Sequence, residues 1–145
     1  MLIGTYYHHL EIKGRISLPK AFRTLTTRWV VSRGLDSCLY VIPQDSFQAQ
    51  LEKLQTNSFA SKNHRSLVRL IAHDAIEVET DGIGRIHLPS NLIAFAHLEN
   101  EVVLAGSVTR VEIWNRDTYH TYIDSVSPQL ESLVETLNPE GANHG

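Results

Sequence analysis

The sequence predicts an α+β fold made of two copies of one unit that share a core. Three observations carry this. Glu11-Ile-Lys-Gly-Arg15-Ile-Ser-Leu-Pro19 returns as Asp81-Gly-Ile-Gly-Arg85-Ile-His-Leu-Pro89, seventy positions on. Strand-like alternation and helical spacing then follow in the same order in both halves. Finally, 145 residues suffice for one ordinary domain, whereas halves of about 70 residues would bury too little surface to be stable alone.

The elements follow from residue periodicity. In the second half Ile76, Val78 and Thr80 share one face of a strand, and Glu77, Glu79 and Asp81 share the other. The seventy-residue offset carries this back to Tyr6, His8 and Leu10 inward, with Tyr7, His9 and Glu11 outward. The return strands place Ile16, Leu18, Ile86 and Leu88 inward and Arg15, Ser17, Arg85 and His87 outward. Pro19 and Pro89 open short helices, since a fixed φ and a missing N–H cost nothing in a first turn. Trp29 to Gly34 matches Glu101 to Gly106, and Leu39 to Ile42 matches Val111 to Trp114, now at an offset of 72. A helix from Gln44 to about Gln55 carries Phe47, Leu51 and Leu54. A second, from Lys62 to Ala72, carries Leu67, Leu70 and Ile71, with Arg65 and Arg69 outside. Asn115 and Ser127-Pro128 mark successive N-caps for two C-terminal helices.

These elements predict one domain over residues 1–137. The first repeat covers about 5–57, a linking helix about 62–73, the second repeat about 75–126 and a C-terminal helix about 128–137. Residues 138–145 are expected to be a flexible tail.

Composition narrows the class. Hydrophobic content of 42% and charged content of 20% are those of a globular protein. The single cysteine, Cys38, cannot form an internal disulfide. No apolar run approaches the roughly 20 residues of a membrane span, and Met1-Leu-Ile-Gly does not read as a secretion signal. The expectation is a cytoplasmic protein of bacterial type with no membrane partner. The net charge of −3 runs mildly against nucleic-acid binding, but its distribution does not. Before residue 35, Lys13, Arg15, Lys20, Arg23, Arg28 and Arg33 face only Glu11. After residue 97 eight acids face only Arg110 and Arg116. One basic face and an acidic tail are expected.

The repeated turn carries the chemistry. Ile12-Lys13-Gly14 fits a three-residue hairpin loop, a type I turn followed by glycine at positive φ, and Gly84 takes the same place in the second copy. Glu11 then stands opposite Arg15, and Asp81 opposite Arg85. Such a cross-strand pair contributes roughly 0.2–1 kcal/mol, so stability is a poor reason to have two. Orientation is a better one. A carboxylate on one edge of a guanidinium fixes its plane and leaves the other N–H groups aimed outward. That fork matches guanine O6 and N7, and it also suits phosphate. The competing reading is a pair of structural ion pairs with no ligand.

The two acid-x-x-Gly-Arg motifs, each followed by Ile-x-Leu-Pro, resemble the paired signatures of the MraZ family of bacterial transcription regulators. Val111-Glu-Ile-Trp114 is similar to that family's second half, and the likeness reaches to about Asp124. The resemblance implies a tandem, swapped-hairpin fold of the AbrB-like group, intertwined into one barrel-like core with longer flanking helices. It implies ring-shaped homo-oligomers, nucleoid-associated, that bind double-stranded DNA at short G-rich direct repeats upstream of the division and cell-wall gene cluster. Arg15 and Arg85 would read bases while Glu11 and Asp81 hold them. Glu11 stands where the family has Asp, and its extra methylene is expected still to reach Arg15. Lys13, Lys20, Arg23 and Arg28 are candidate phosphate contacts, with Ser17 and His87 weaker candidates on the arginine face.

Other chemistries find little support. His8 and His9 are adjacent in a strand and point to opposite faces, and no Cys-x-x-Cys or His-Glu-x-x-His spacing occurs. Asp81-Gly-Ile-Gly lacks the third glycine of a dinucleotide site. No enzyme, metal, cofactor or small-molecule ligand is expected. The alternative function is a homo-oligomeric scaffold whose hairpin arginines meet protein carboxylates.

Overall fold

The computed structural model describes residues 1–137; the expected tail, 138–145, lies outside them. The chain forms two compact units, the first Met1–Asn115 and the second beginning at Arg116. In the first unit β1 (Leu2–His9) leads through a turn at Ile12–Gly14 to β2 (Arg15–Ser17), α1 (Lys20–Arg23), β3 (Arg28–Arg33) and β4 (Leu39–Pro43). Two longer helices follow, α2 (Gln44–Ser58) and α3 (Lys62–Asp74). The order then returns as β5 (Ile76–Glu79), β6 (Arg85–His87), α4 (Ser90–Phe95), β7 (Glu101–Val108) and β8 (Val111–Asn115). The second unit holds α5 (Arg116–Val126), a 3₁₀ turn at Ser127–Gln129 and α6 (Leu130–Leu137). Ser127 was expected to cap a separate helix. It instead belongs to the 3₁₀ turn, which contains Pro128 and runs directly into α6.

The repeats exchange strands. Six antiparallel strands order as β1-β7-β8-β4-β3-β5, and β2 pairs separately with β6. Thus β1 of the first repeat lies on β7 of the second, and β5 of the second lies on β3 of the first. The register contains the symmetry. Tyr40 stands opposite Glu112, its counterpart at the offset of 72, and Ile16 stands opposite Ile86, its counterpart at the offset of seventy. Both pairings sit where a pseudo-two-fold axis relating the repeats must pass.

The core is duplicated along with the strands. Ile16, Leu18 and Phe22 are buried, and so are Ile86, Leu88 and Leu92 seventy positions later. Trp29, Leu39, Val41, Leu104, Val111 and Ile113 complete the same cluster. Tyr6 meets Phe22 edge to face at 5.2 Å between ring centroids. The expected alternation holds in β1, where Tyr6 and His8 are half-buried while Tyr7 and His9 are exposed. Ser61 caps α3 by accepting the His64 N–H. Arg33 of β3 grips Asp74 at the far end of α3 with two donors, at 2.6 and 2.8 Å.

Burial predicts opposite outcomes for two isoleucines three positions apart. Ile86 is 1% exposed and Ile83 is 66% exposed. Ile86→Ala should cost about 2–5 kcal/mol through the cavity it leaves, and Ile83→Ala should stay within about 0.5 kcal/mol. Urea denaturation midpoints of the two variants measure the difference.

Candidate nucleic-acid interface

Each hairpin closes on a glycine. The Glu11 N–H donates to Arg15 O at 2.8 Å, and the Asp81 N–H donates to Arg85 O at 2.8 Å. Gly14 and Gly84 take φ of 76° and 84°, as the loop requires. In the first loop Lys13 also has positive φ, at 65°, so the expected type I turn is not formed there. The second loop has positive φ at Gly84 alone.

The hairpins are then locked side by side. Beyond the β2–β6 ladder, the Leu18 N–H donates to Gly84 O at 3.0 Å and the Leu88 N–H donates to Gly14 O at 2.8 Å. Each loop glycine therefore anchors the opposite repeat. One open hollow results, lined by His9, Leu10, Glu11, Ile12, Lys13, Arg15 and Arg85. Both predicted arginines and the hairpin lysine share this surface.

The carboxylates are arranged differently from expectation. Asp81 closes its own loop, its Oδ1 accepting the N–H groups of Ile83 at 3.0 Å and Arg85 at 2.9 Å. Its Oδ2 accepts Arg85 Nε at 2.8 Å. Glu11 was expected to hold Arg15, and it does not. Its Oε1 instead accepts Arg85 Nη1 at 3.1 Å, across the pseudo-two-fold axis. Two features account for this. The Glu11 side chain caps no N–H of its own loop, so its longer arm is not tied back. The β2–β6 register meanwhile sets Ser17, whose Oγ lies 3.4 Å from Glu11 Oε2, directly opposite Arg85. Arg15 makes no salt bridge among the described residues.

The electrostatics follow this geometry. The Arg85 backbone N–H, then its guanidinium and the Ile83 N–H, hold the Asp81 carboxyl below its ordinary value. The hydrogen bonds it donates to Asp81 and Glu11 push the Arg85 guanidinium up, so it stays charged. The Arg85 side chain is 26% exposed, reachable but not free to wander.

The remaining candidates separate. Lys13 lines the hollow at the hairpin tip. Lys20 is exposed at the start of α1. Arg23 donates through Nη1 to Ile83 O at 3.2 Å, which makes it a brace for the second hairpin. Arg28 pairs with Glu79 at 3.4 Å and lines a polar hollow with Glu77 and Gln44, an acidic setting for a phosphate contact. The bracing role of Arg23 and the crossing of Glu11 escaped sequence reading because both depend on contacts between the repeats. Among the described residues no cluster of His, Cys, Asp and Glu could hold a metal ion, and no helix is long and apolar enough to cross a membrane.

Asp81→Asn gives a test of this clamp, since Asn can still accept the loop N–H groups but carries no charge. A carboxylate with a lowered folded-state pKa adds stability that is full above its unfolded value and disappears as pH falls through the folded one. The wild-type advantage over D81N should therefore persist near pH 6 and shrink as pH falls below the ordinary aspartate value. Denaturation midpoints of both proteins across that interval check it.

Comparison with known proteins identifies the family. The chain matches the family described as "MraZ protein, putative antitoxin-like" twice, over residues 1–70 and 71–137. It is 40% identical over 138 residues to the Transcriptional regulator MraZ of Moorella thermoacetica, covering 94% of this chain and 96% of that protein. It is 38% identical over 142 residues to the Transcriptional regulator MraZ of Halothermothrix orenii, covering 97% and 99%. The two family matches divide the chain within α3, so each contains one glycine-closed hairpin. On the repeat, the exchanged strands and these matches together, the chain belongs to the MraZ family.

Proposed function

We propose that this chain is a sequence-specific DNA-binding transcriptional regulator. It reads short G-rich direct repeats upstream of the division and cell-wall gene cluster, as a ring-shaped homo-oligomer on the nucleoid in the cytoplasm, with no catalytic step. The exchanged strands and the duplicated core beneath them carry the hairpins. One observation carries the reading: arginines from two sequence-equivalent hairpins line a single open hollow, and one of them is held by two carboxylates. Exposed ion pairs add little stability, so a doubly held arginine on an open surface is better explained by recognition. The relatives named as transcriptional regulators support it.

Physical chemistry assigns the roles. A fixed guanidinium presents parallel N–H donors, which suit the O6 and N7 acceptors of guanine in the major groove. Lys13 and Lys20 supply sequence-blind attraction to phosphates. A single pair of hairpins makes few contacts, so neighbouring subunits on neighbouring repeats raise avidity without new chemistry.

A protein scaffold is the second reading, favoured by the exposed apolar side chains of Leu35, Leu67 and Leu70 around one hollow. Salt dependence separates the two. Binding to the duplex upstream of the chain's own coding sequence should weaken steeply as salt rises, and a slope near zero in log K against log salt supports the scaffold. Arg85→Ala should remove about 1–3 kcal/mol of preference for that duplex over a scrambled one. Lys13→Ala should weaken binding to both duplexes alike and lower the salt slope by about one.

A further inference from the structure

We infer that the two hairpins are unequal readers. Glu11 is a positioning residue for Arg85, the arginine of the other repeat. The second hairpin is thereby a preset fork, and the first carries a conformable cation, Arg15. This rests on the DNA-reading function proposed above.

Three differences between the copies point the same way. The first is the clamp. Arg85 is fixed through Nε by Asp81 at 2.8 Å and through Nη1 by Glu11 at 3.1 Å. Two anchors on different nitrogens define both the plane and the rotation of a guanidinium, and Nη2 remains without a partner among the described residues. Arg15 has neither anchor.

The second is the backbone. Arg23 of the first repeat donates to Ile83 O at 3.2 Å, inside the second loop, and its side chain lies against Gly84 so closely that a Cβ there would collide with it. The counterpart of Arg23 seventy positions on is Ile93, which offers the first loop only an apolar contact beside Gly14.

The third is the acid itself. Aspartate at position 81 is short enough to bind its own loop N–H groups while holding Arg85. Glutamate at position 11 forgoes that local cap and spans to the opposite repeat. An aspartate at position 11 would lack the length to do so and would fall back on its own loop.

The consequence for recognition is a division of labour. A preset fork loses little freedom on meeting a base edge, so it discriminates. A free arginine adapts to phosphate or to whichever edge the preset fork leaves within reach, so it adds affinity with little preference.

The test uses the full-length protein, the duplex immediately upstream of its own coding sequence and a scrambled duplex of equal composition. Glu11→Gln should reduce the ratio of the two affinities about three- to tenfold, while binding to the scrambled duplex stays equal or tightens because a negative charge near phosphate has gone. The double-mutant comparison assigns the partner. In an Arg85→Ala background E11Q should leave the ratio unchanged, and in an Arg15→Ala background its effect should persist. The reverse pattern overturns the cross-repeat assignment, as does an unchanged ratio for E11Q alone. The free protein provides a readout without DNA: the Arg85 Nε–Hε resonance should move in E11Q and in Glu11→Asp, while that of Arg15 stays in place. An unmoved Arg85 signal overturns the positioning role even if DNA binding is normal. A wild-type protein with no preference between the duplexes overturns the DNA reading and the reader assignment with it, and leaves the resonance to judge the clamp alone.

Discussion

The short ladder between β2 and β6 is the constraint on which the surface of this protein depends. Three residue pairs, centred on Ile16 opposite Ile86, fix how far apart the hairpins lie and which way their arginines face. The flanking bonds from Leu18 to Gly84 and from Leu88 to Gly14 remove the remaining freedom. Buried isoleucines beneath that ladder tie it to the core, so the arginine face inherits the stability of the whole sheet. Without the ladder, Glu11 and Arg85 would belong to separate loops, and the hollow between them would not exist.

Magnitudes explain why so much structure surrounds weak pairs. The carboxylates around Arg85 are partly exposed, at 42% and 37% of their side-chain surface, and solvent screens such pairs so that they add little stability. The apolar groups beneath them contribute far more, on the order of 1.5–3 kcal/mol for each fully buried Leu or Ile. The fold is thus held by its duplicated apolar layer, while the surface charges are arranged for direction. A chain with a net charge of −3 can still present cations locally, because Lys13 and Arg15 share the hollow with the clamped Arg85.

Much of this was legible in the sequence, for a reason that duplication makes plain. Each repeat states the same alternation, the same proline-opened helix and the same glycine-closed turn, so an uncertain reading in one copy is checked by the other. The inward faces of β1, β2 and β6 follow from period-two burial, and α2 and α3 follow from helical spacing. What stayed hidden are relations between copies. Sequence spacing puts Glu11 beside Arg15 because they are neighbours in one loop, yet the register of β2 on β6 sets Ser17 opposite Arg85 and draws Glu11 across. Arg23 looks like a surface cation on a short helix until the second loop is placed against it. The second positive φ, at Lys13, is not a residue type that announces itself.

Strand exchange has a cost in time. Leu2 finds its partner in Val108, and the whole of β1 pairs with β7, so β1 waits on a strand made about 100 residues later. At roughly 5–20 residues per second, about 100 residues of translation leave that strand edge unsatisfied for roughly 5–20 s. An architecture that pairs strands about 100 residues apart is therefore completed late, and the ribosome sets the earliest moment at which its two arginines can meet.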